Sequence, residues 1–184
     1  MRKQTIFNGF HRPLSIIPAC FKQMKLDRSK PHVWTKDVLF DESCEYLLDN
    51  GDQWDWNKLY GWCFGVFGIH ENSVRVAWRY NPMIKKIELA LYYYKNGKMI
   101  VRPMTDVKIG EVVRTSINVY TDKVRVCIES GKCYVQTIDF EDTLLYNIPL
   151  FGCGLYFGGN RTAPHRIDVS TADIPNQPSY IVPF

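Results

Sequence analysis

No stretch of this 184-residue sequence approaches the ~18 consecutive apolar residues that a membrane-crossing helix needs. It also lacks the apolar core of a secretion signal, because Met1-Arg2-Lys3 is followed by Asn8, His11, Arg12 and Pro13. A cytoplasmic protein with no membrane partner is therefore expected. Helical periodicity is scarce: only Glu42 to Leu48 and Glu141 to Tyr146 read as helix, and each is too short to be stable alone. The G-x-S-x-G elbow, H-E-x-x-H, the P-loop and paired C-x-x-C are all missing. Serine hydrolases, zincins, nucleotide hydrolases and zinc ribbons thereby lose their usual support. The net charge is only +4, from 23 Lys+Arg against 19 Asp+Glu, and the basic residues are scattered. Without a basic face, zinc finger or RNA-recognition core, no nucleic-acid partner is expected.

What the sequence does contain is alternation. Apolar residues make up 46% and charged residues 23%, the balance of a folded chain, and the length suits one domain over residues 1–184. From Ser73 to Tyr80, Val74, Val76, Trp78 and Tyr80 alternate with Arg75, Ala77 and Arg79. From Ile87 to Tyr94, Ile87, Leu89, Leu91 and Tyr93 alternate with Glu88, Ala90, Tyr92 and Tyr94. Each pattern predicts a strand with one covered face. Asn96-Gly97 predicts a tight hairpin into Lys98 to Met104, since both residues accept positive φ. Further strands are predicted at Leu59 to Phe67, Val112 to Tyr120, Lys123 to Glu129, Cys133 to Phe140, Leu150 to Phe157 and His165 to Ser170. Proline-broken early strands are predicted in the first thirty residues. The tail Asp173 to Phe184, with Pro175, Pro178 and Pro183, is expected to run extended. The fold class is all-β, a two-layer sandwich or a closed barrel.

Six cysteines allow 15 connectivities of three bridges, but thiols fit the cytoplasm better. Cys127 and Cys133 flank the turn at Ser130-Gly131 and could face each other. The acidic run from Asp49 to Asp55 has the oxygens for calcium without EF-hand spacing. It reads better as a surface turn anchored by Trp54 and Trp56, and no metal or cofactor is expected. The stronger constellation lies on the polar faces of the two best strands, where Arg75, Arg79, Glu88, Tyr92 and Tyr94 share one side. Rings that pack on C–H faces and guanidinium groups that grip hydroxyls or carboxylates suit an oligo- or polysaccharide. The same residues could equally be a cross-strand ion pair shielded by tyrosines. His70 and His165 stand at strand ends, where a base could act or a turn could be capped.

The succession Asp55-Trp56-Asn57-Lys58-Leu59-Tyr60-Gly61, Asn72 to Tyr80, Tyr92-Tyr93-Tyr94-x-Asn96-Gly97-Lys98 and Leu155-Tyr156-Phe157-Gly158-Gly159-Asn160-x-x-Ala163-Pro164-His165 resembles an uncharacterised bacterial and phage group of the Bacteroides type with a concanavalin A-like jelly roll. The resemblance covers roughly Val38 to Val169 and implies two antiparallel sheets packed face to face, one of them concave. Lectins, family-16-type glucanases and alginate lyases share that architecture. The E-x-D-x-E run of the glucanases is absent. Gly68-Ile69-His70 and Tyr156-Phe157-Gly158-Gly159 partly match the alginate-lyase motifs, without their glutamine and lysine. On that likeness His70 would be the base and Tyr156 the acid. The leading expectation is a non-catalytic, carbohydrate-binding jelly roll whose ligand-binding residues are Arg75, Arg79, Glu88, Tyr92, Tyr94, His70 and Tyr156. A uronate lyase is the alternative, and a structural protein of a surface or phage virion the third. The oligomeric state stays open.

Overall fold

Alternation becomes a sheet because every second side chain of a strand shares a face. The computed structural model describes residues 1–13, 31–65, 69–140 and 150–175. Among these, eleven strands form: β1 (Arg2–Ile6), β2 (His32–Phe40), β3 (Asn57–Phe64), β4 (Ser73–Asn81), β5 (Lys86–Lys95), β6 (Lys98–Val107), β7 (Val112–Val119), β8 (Lys123–Ser130), β9 (Lys132–Asp139), β10 (Leu150–Cys153) and β11 (Ile167–Ile174). They build two antiparallel sheets, one ordered β1-β11-β2-β7-β8-β9 and the other β10-β3-β4-β5-β6. The molecule is an all-β sandwich of the expected jelly-roll kind.

The faces fall as the alternation requires. Val74, Val76, Trp78 and Tyr80 of β4 and Ile87, Leu89, Leu91 and Tyr93 of β5 enter one core cluster with Val38, Phe40, Ile117, Val126 and Ile128 of the facing sheet. Phe40 and Trp78 meet across the sandwich with ring centroids 5.2 Å apart. The Tyr60 hydroxyl spans it too, 3.0 Å from Thr115 Oγ1. Asn96 (φ 52°) and Gly97 (φ 73°) make the predicted hairpin turn between β5 and β6.

Several elements differ from the sequence reading. The predicted strand Leu150 to Phe157 stops at Cys153, and Tyr156 rejoins the sheet only through a bridge to Lys58. That bridge keeps the register of the β10–β3 ladder, three residues further along each strand. The last strand runs Ile167–Ile174 rather than His165 to Ser170, so the first two residues of the expected tail, Asp173 and Ile174, belong to a strand. Pairing on both sides, with β1 and β2, extends it. Residues 176–184 lie outside the described residues. Of Glu42 to Leu48, only Glu42–Cys44 turns helically, as a 3₁₀ turn whose cap Asp41 accepts from Ser43 N at 3.0 Å. Glu141 to Tyr146 lies outside the described residues.

Strand β2 has no counterpart in the sequence reading because Lys36 interrupts its apolar face. Buried to 7% exposure, Lys36 lies over the Tyr60 ring and donates to Asp173 Oδ1 at 2.6 Å, on the residue opposite it in β11. Cys127 opposes Val135 and Cys133 opposes Glu129, so the two cysteines do not face each other as the turn had suggested. All five described cysteines are thiols.

Two substitutions test this packing. Trp78→Ala is expected to cost ~3–5 kcal/mol in denaturant unfolding, as a fully buried aromatic truncation. At Gly61, an added Cβ would sit 2.1 Å from Val74 O and 2.6 Å from Arg75 Cα. Gly61→Ala is therefore expected to lose upwards of ~2 kcal/mol by the same measurement, through forced separation of β3 from β4.

Candidate functional site

Strand register fixes what stands together on the outer face of the five-stranded sheet. Arg75 directly opposes Tyr92, and Arg79 opposes Glu88. The face reads as rows across the strands: Cys63, Ser73, Tyr94 and Met99; then Cys153, Gly61, Arg75, Tyr92 and Val101; then Tyr156, Lys58, Ala77 and Ala90; then Arg79 and Glu88. Five of the seven expected ligand-binding residues thus share one sheet face, with His70 and Tyr156 at its margins.

The two arginines have different chemistry. Arg79 is paired: Nε donates to Glu88 Oε2 at 2.6 Å and Nη1 to Trp54 O at 2.8 Å. Glu88 Oε1 accepts in turn from Asn81 at 2.8 Å. That pair is the shielded cross-strand ion pair of an ordinary sheet surface. Arg75 is 5% exposed, yet its Nε and Nη2 are buried without a hydrogen-bond partner. Its guanidinium carbon lies 4.9 Å from the Tyr92 ring centroid and 5.8 Å from that of Tyr94. The missing Cβ of Gly61, opposite it on β3, leaves room for the side chain.

A second cation adjoins it. The Lys58 ammonium sits 4.6 Å from the Tyr92 centroid and 5.9 Å from that of Tyr156, donating to Trp56 O at 2.7 Å. Burial, with Arg75 beside it, pulls its pKa down to about 8 against the opposing pull of Asp55. Arg12 lies 5.4 Å from the Tyr156 centroid, and His11 stacks on the same ring at 5.1 Å and 7°. Tyr92 is the floor of the patch at 5% exposure rather than a surface ring. Its hydroxyl donates to Met99 Sδ at 2.9 Å and lies 3.4 Å from Tyr94 Oη. Burial and Tyr94 push this phenol far above its ordinary range.

His70 is exposed and meets Tyr94 edge-on at 5.2 Å. Tyr156 belongs to the Lys58 row, two rows away, and rows on one face are ~7 Å apart. The base and acid of the lyase reading therefore stand at opposite margins of the patch.

Lys58, Gly61 and Arg12 were not singled out from the sequence as site residues. The bulge at Leu59 explains the first two: it puts Lys58 and Gly61 on one face at a spacing of three, which a period-two reading assigns to opposite faces. Arg12 arrives through main-chain pairing of the amino-terminal segment with the 157–163 loop, Gly9 N and Phe157 N donating to Ala163 O and His11 O. The acidic turn also departs from expectation. Trp56 packs on the Ala77–Ala90–Tyr92 cluster, whereas Trp54 stands 40% exposed.

By sequence the chain matches no family model and no curated protein. Solved structures resemble it in fold. An alginate lyase from Klebsiella pneumoniae superposes with TM-score 0.55 at 12% identity, over 79% of this chain and 60% of that one. Alginate lyase AlyC3 in complex with dimannuronate gives 0.53 at 10% identity, over 95% and 75%. A protein of unknown function from Saccharomyces cerevisiae gives 0.50 at 10% identity, over 95% and 89%. The chain spans 60% and 66% of the length of two of the alginate lyases it matches. What these comparisons establish is a shared fold, the concanavalin A-like jelly roll of polysaccharide lyase family 7.

Proposed function

We propose that the outer face of the five-stranded sheet binds an acidic oligosaccharide without cleaving it. Arg75 carries this reading. A guanidinium buried with two N–H groups unpaired is costly, and an acidic ligand on this face would offset that cost by its charge, reaching Nε and Nη2 once the side chains covering them shift. Lys58 and Arg12 add positive charge on the same side, beside the rings of Tyr94 and Tyr156. Among proteins of this fold, AlyC3 has been captured with dimannuronate, an acidic disaccharide. Non-catalytic binding is favoured over lysis because proton abstraction and leaving-group protonation must converge on one bond, and His70 and Tyr156 are too far apart for that.

Calorimetric titration with oligomers of mannuronate, galacturonate and glucose tests the proposal. Saturable binding of at least one acidic series is expected, with no rise in ultraviolet absorbance from unsaturated product. Equal binding of the neutral oligomer removes the role of Arg75, and new absorbance establishes the lyase instead.

Arg75→Met separates ligand binding from folding. Removing an unpaired buried charge while keeping apolar bulk is expected to leave the melting temperature unchanged or higher, and to weaken acidic-oligomer binding at least about tenfold. A fall in melting temperature would instead make Arg75 a structural residue.

Lys58 predicts opposite pH trends for binding and stability. Its folded pKa, about 8, lies below its unfolded value, so between the two the unfolded chain holds more protons and stability rises with pH. Over the same interval the site loses a cation and affinity falls. From pH 7 to 9, titration calorimetry is expected to show weaker binding in the native chain, with a smaller change in Lys58→Met. Thermal melts are expected to show the stability gain only where Lys58 is present.

A further inference from the structure

From the exposed Trp54 indole and the frame that holds it, we infer a second saccharide subsite: a stacking platform at the far end of the same face, which makes the ligand an oligomer rather than a mono- or disaccharide. This rests on the proposed acidic-oligosaccharide site and extends it. Trp54 ends the 3₁₀ turn Asn50–Trp54 and is 40% exposed. The indole is nonetheless held firmly. The Arg79 guanidinium lies between two tryptophans, 5.3 Å from the Trp54 centroid and 4.3 Å from that of Trp56. Glu88 grips the same guanidinium at 2.6 Å, and Arg79 Nη1 donates to the Trp54 carbonyl at 2.8 Å. The indole is thus backed by a cation, while the residue as a whole stays 40% exposed. Such a ring is preorganised for stacking, since binding need not fix its rotamer.

Position gives the platform its meaning. Arg79 and Arg75 lie four residues apart on one face of β4, so the two sites are ~13 Å apart along the strand. Between them the strands carry the paired small residues Ala77 and Ala90, with Tyr92 and Trp56 packed against them. A single sugar held by Arg75 does not reach Trp54, whereas a chain of several residues laid along β4 meets both. The engaged Arg79–Glu88 pair then has a role that differs from the one its sequence position suggested: it supports the ring and does not grip the ligand.

The test compares dimers and hexamers of mannuronate and galacturonate against native protein, Trp54→Ala and Arg75→Met by calorimetry, with melting temperatures measured alongside. Trp54→Ala is expected to weaken the bound hexamer about fivefold to tenfold and the dimer less than about twofold. Arg75→Met is expected to weaken both. Trp54→Phe, which keeps a ring, is expected to recover much of the hexamer affinity and guards against a folding defect. Equal hexamer affinity in native and Trp54→Ala protein overturns the platform while leaving the Arg75 site standing. An equal loss for dimer and hexamer overturns it as well, since the effect is then not one of ligand length. If the native protein binds neither acidic series, both the site and its extension fall together.

Discussion

A buried guanidinium with two N–H groups that lack acceptors is the constraint around which this face is arranged. Desolvating a guanidinium costs several kcal/mol, and the facing tyrosine rings return only part of that through cation–π attraction. The deficit must be met by the sandwich core, where Trp78, Phe40, Ile87 and Leu89 are fully buried. Neighbouring residues serve the same charge. Gly61 leaves space for it, Tyr92 lies beneath it, and Lys58 adjoins it with its own pKa depressed. A face built only for stability would pair such an arginine, as it pairs Arg79 with Glu88 four residues away. On the proposed function, the contrast between two arginines on one strand is that between a binding residue and a supporting one.

The bulge in β3 is the backbone counterpart of that arrangement. One extra residue at Leu59 shifts side-chain parity, so Leu59 and Tyr60 both enter the core while Lys58 and Gly61 both face out. On the other side of β3, beyond the β10 ladder, the chain re-approaches in the same register as the Lys58–Tyr156 bridge, with main-chain bonds of 2.8 Å in both directions. Tyr156 and, through its stacking partner His11, the amino-terminal segment are thereby brought to the margin of the cationic patch. A regular strand would not have presented the lysine beside Gly61 on this face.

What could be read in the sequence follows from these features. Strands β4 and β5 were legible because their alternation is unbroken, and the short turn at Asn81-Pro82 between them made them neighbours, which placed Arg75 beside Tyr92 and Arg79 beside Glu88. Strand β2 was hidden by Lys36, a lysine at an inward position whose charge is met by Asp173 on another strand far away in sequence. Lys58 was hidden by the bulge, and Arg12 by tertiary pairing, which leaves no periodic trace. Burial was the other gap. Alternation says which side a residue faces, but it does not say that Arg75 and Tyr92 would be covered by their own neighbours while Trp54 would stay in solvent.

The layout of charge bears on binding against catalysis. Elimination needs a base, an acid and a charge-neutralising group around one sugar residue, within hydrogen-bond reach of the reacting atoms. Here the cations Arg75, Lys58 and Arg12 cluster around Tyr92 and Tyr156, the exposed histidine stands beside Tyr94, and the proposed tryptophan platform lies at the opposite end. Groups strung along a strand direction match the repeat of a polymer rather than the geometry of a single bond. In the proposed binding mode each of several modest contacts would raise the effective concentration of the next sugar over its own contact, so affinity would grow with chain length although no one contact is strong. A sheet suits that task because its rows are fixed by register, and the distances between contacts are as rigid as the core beneath them.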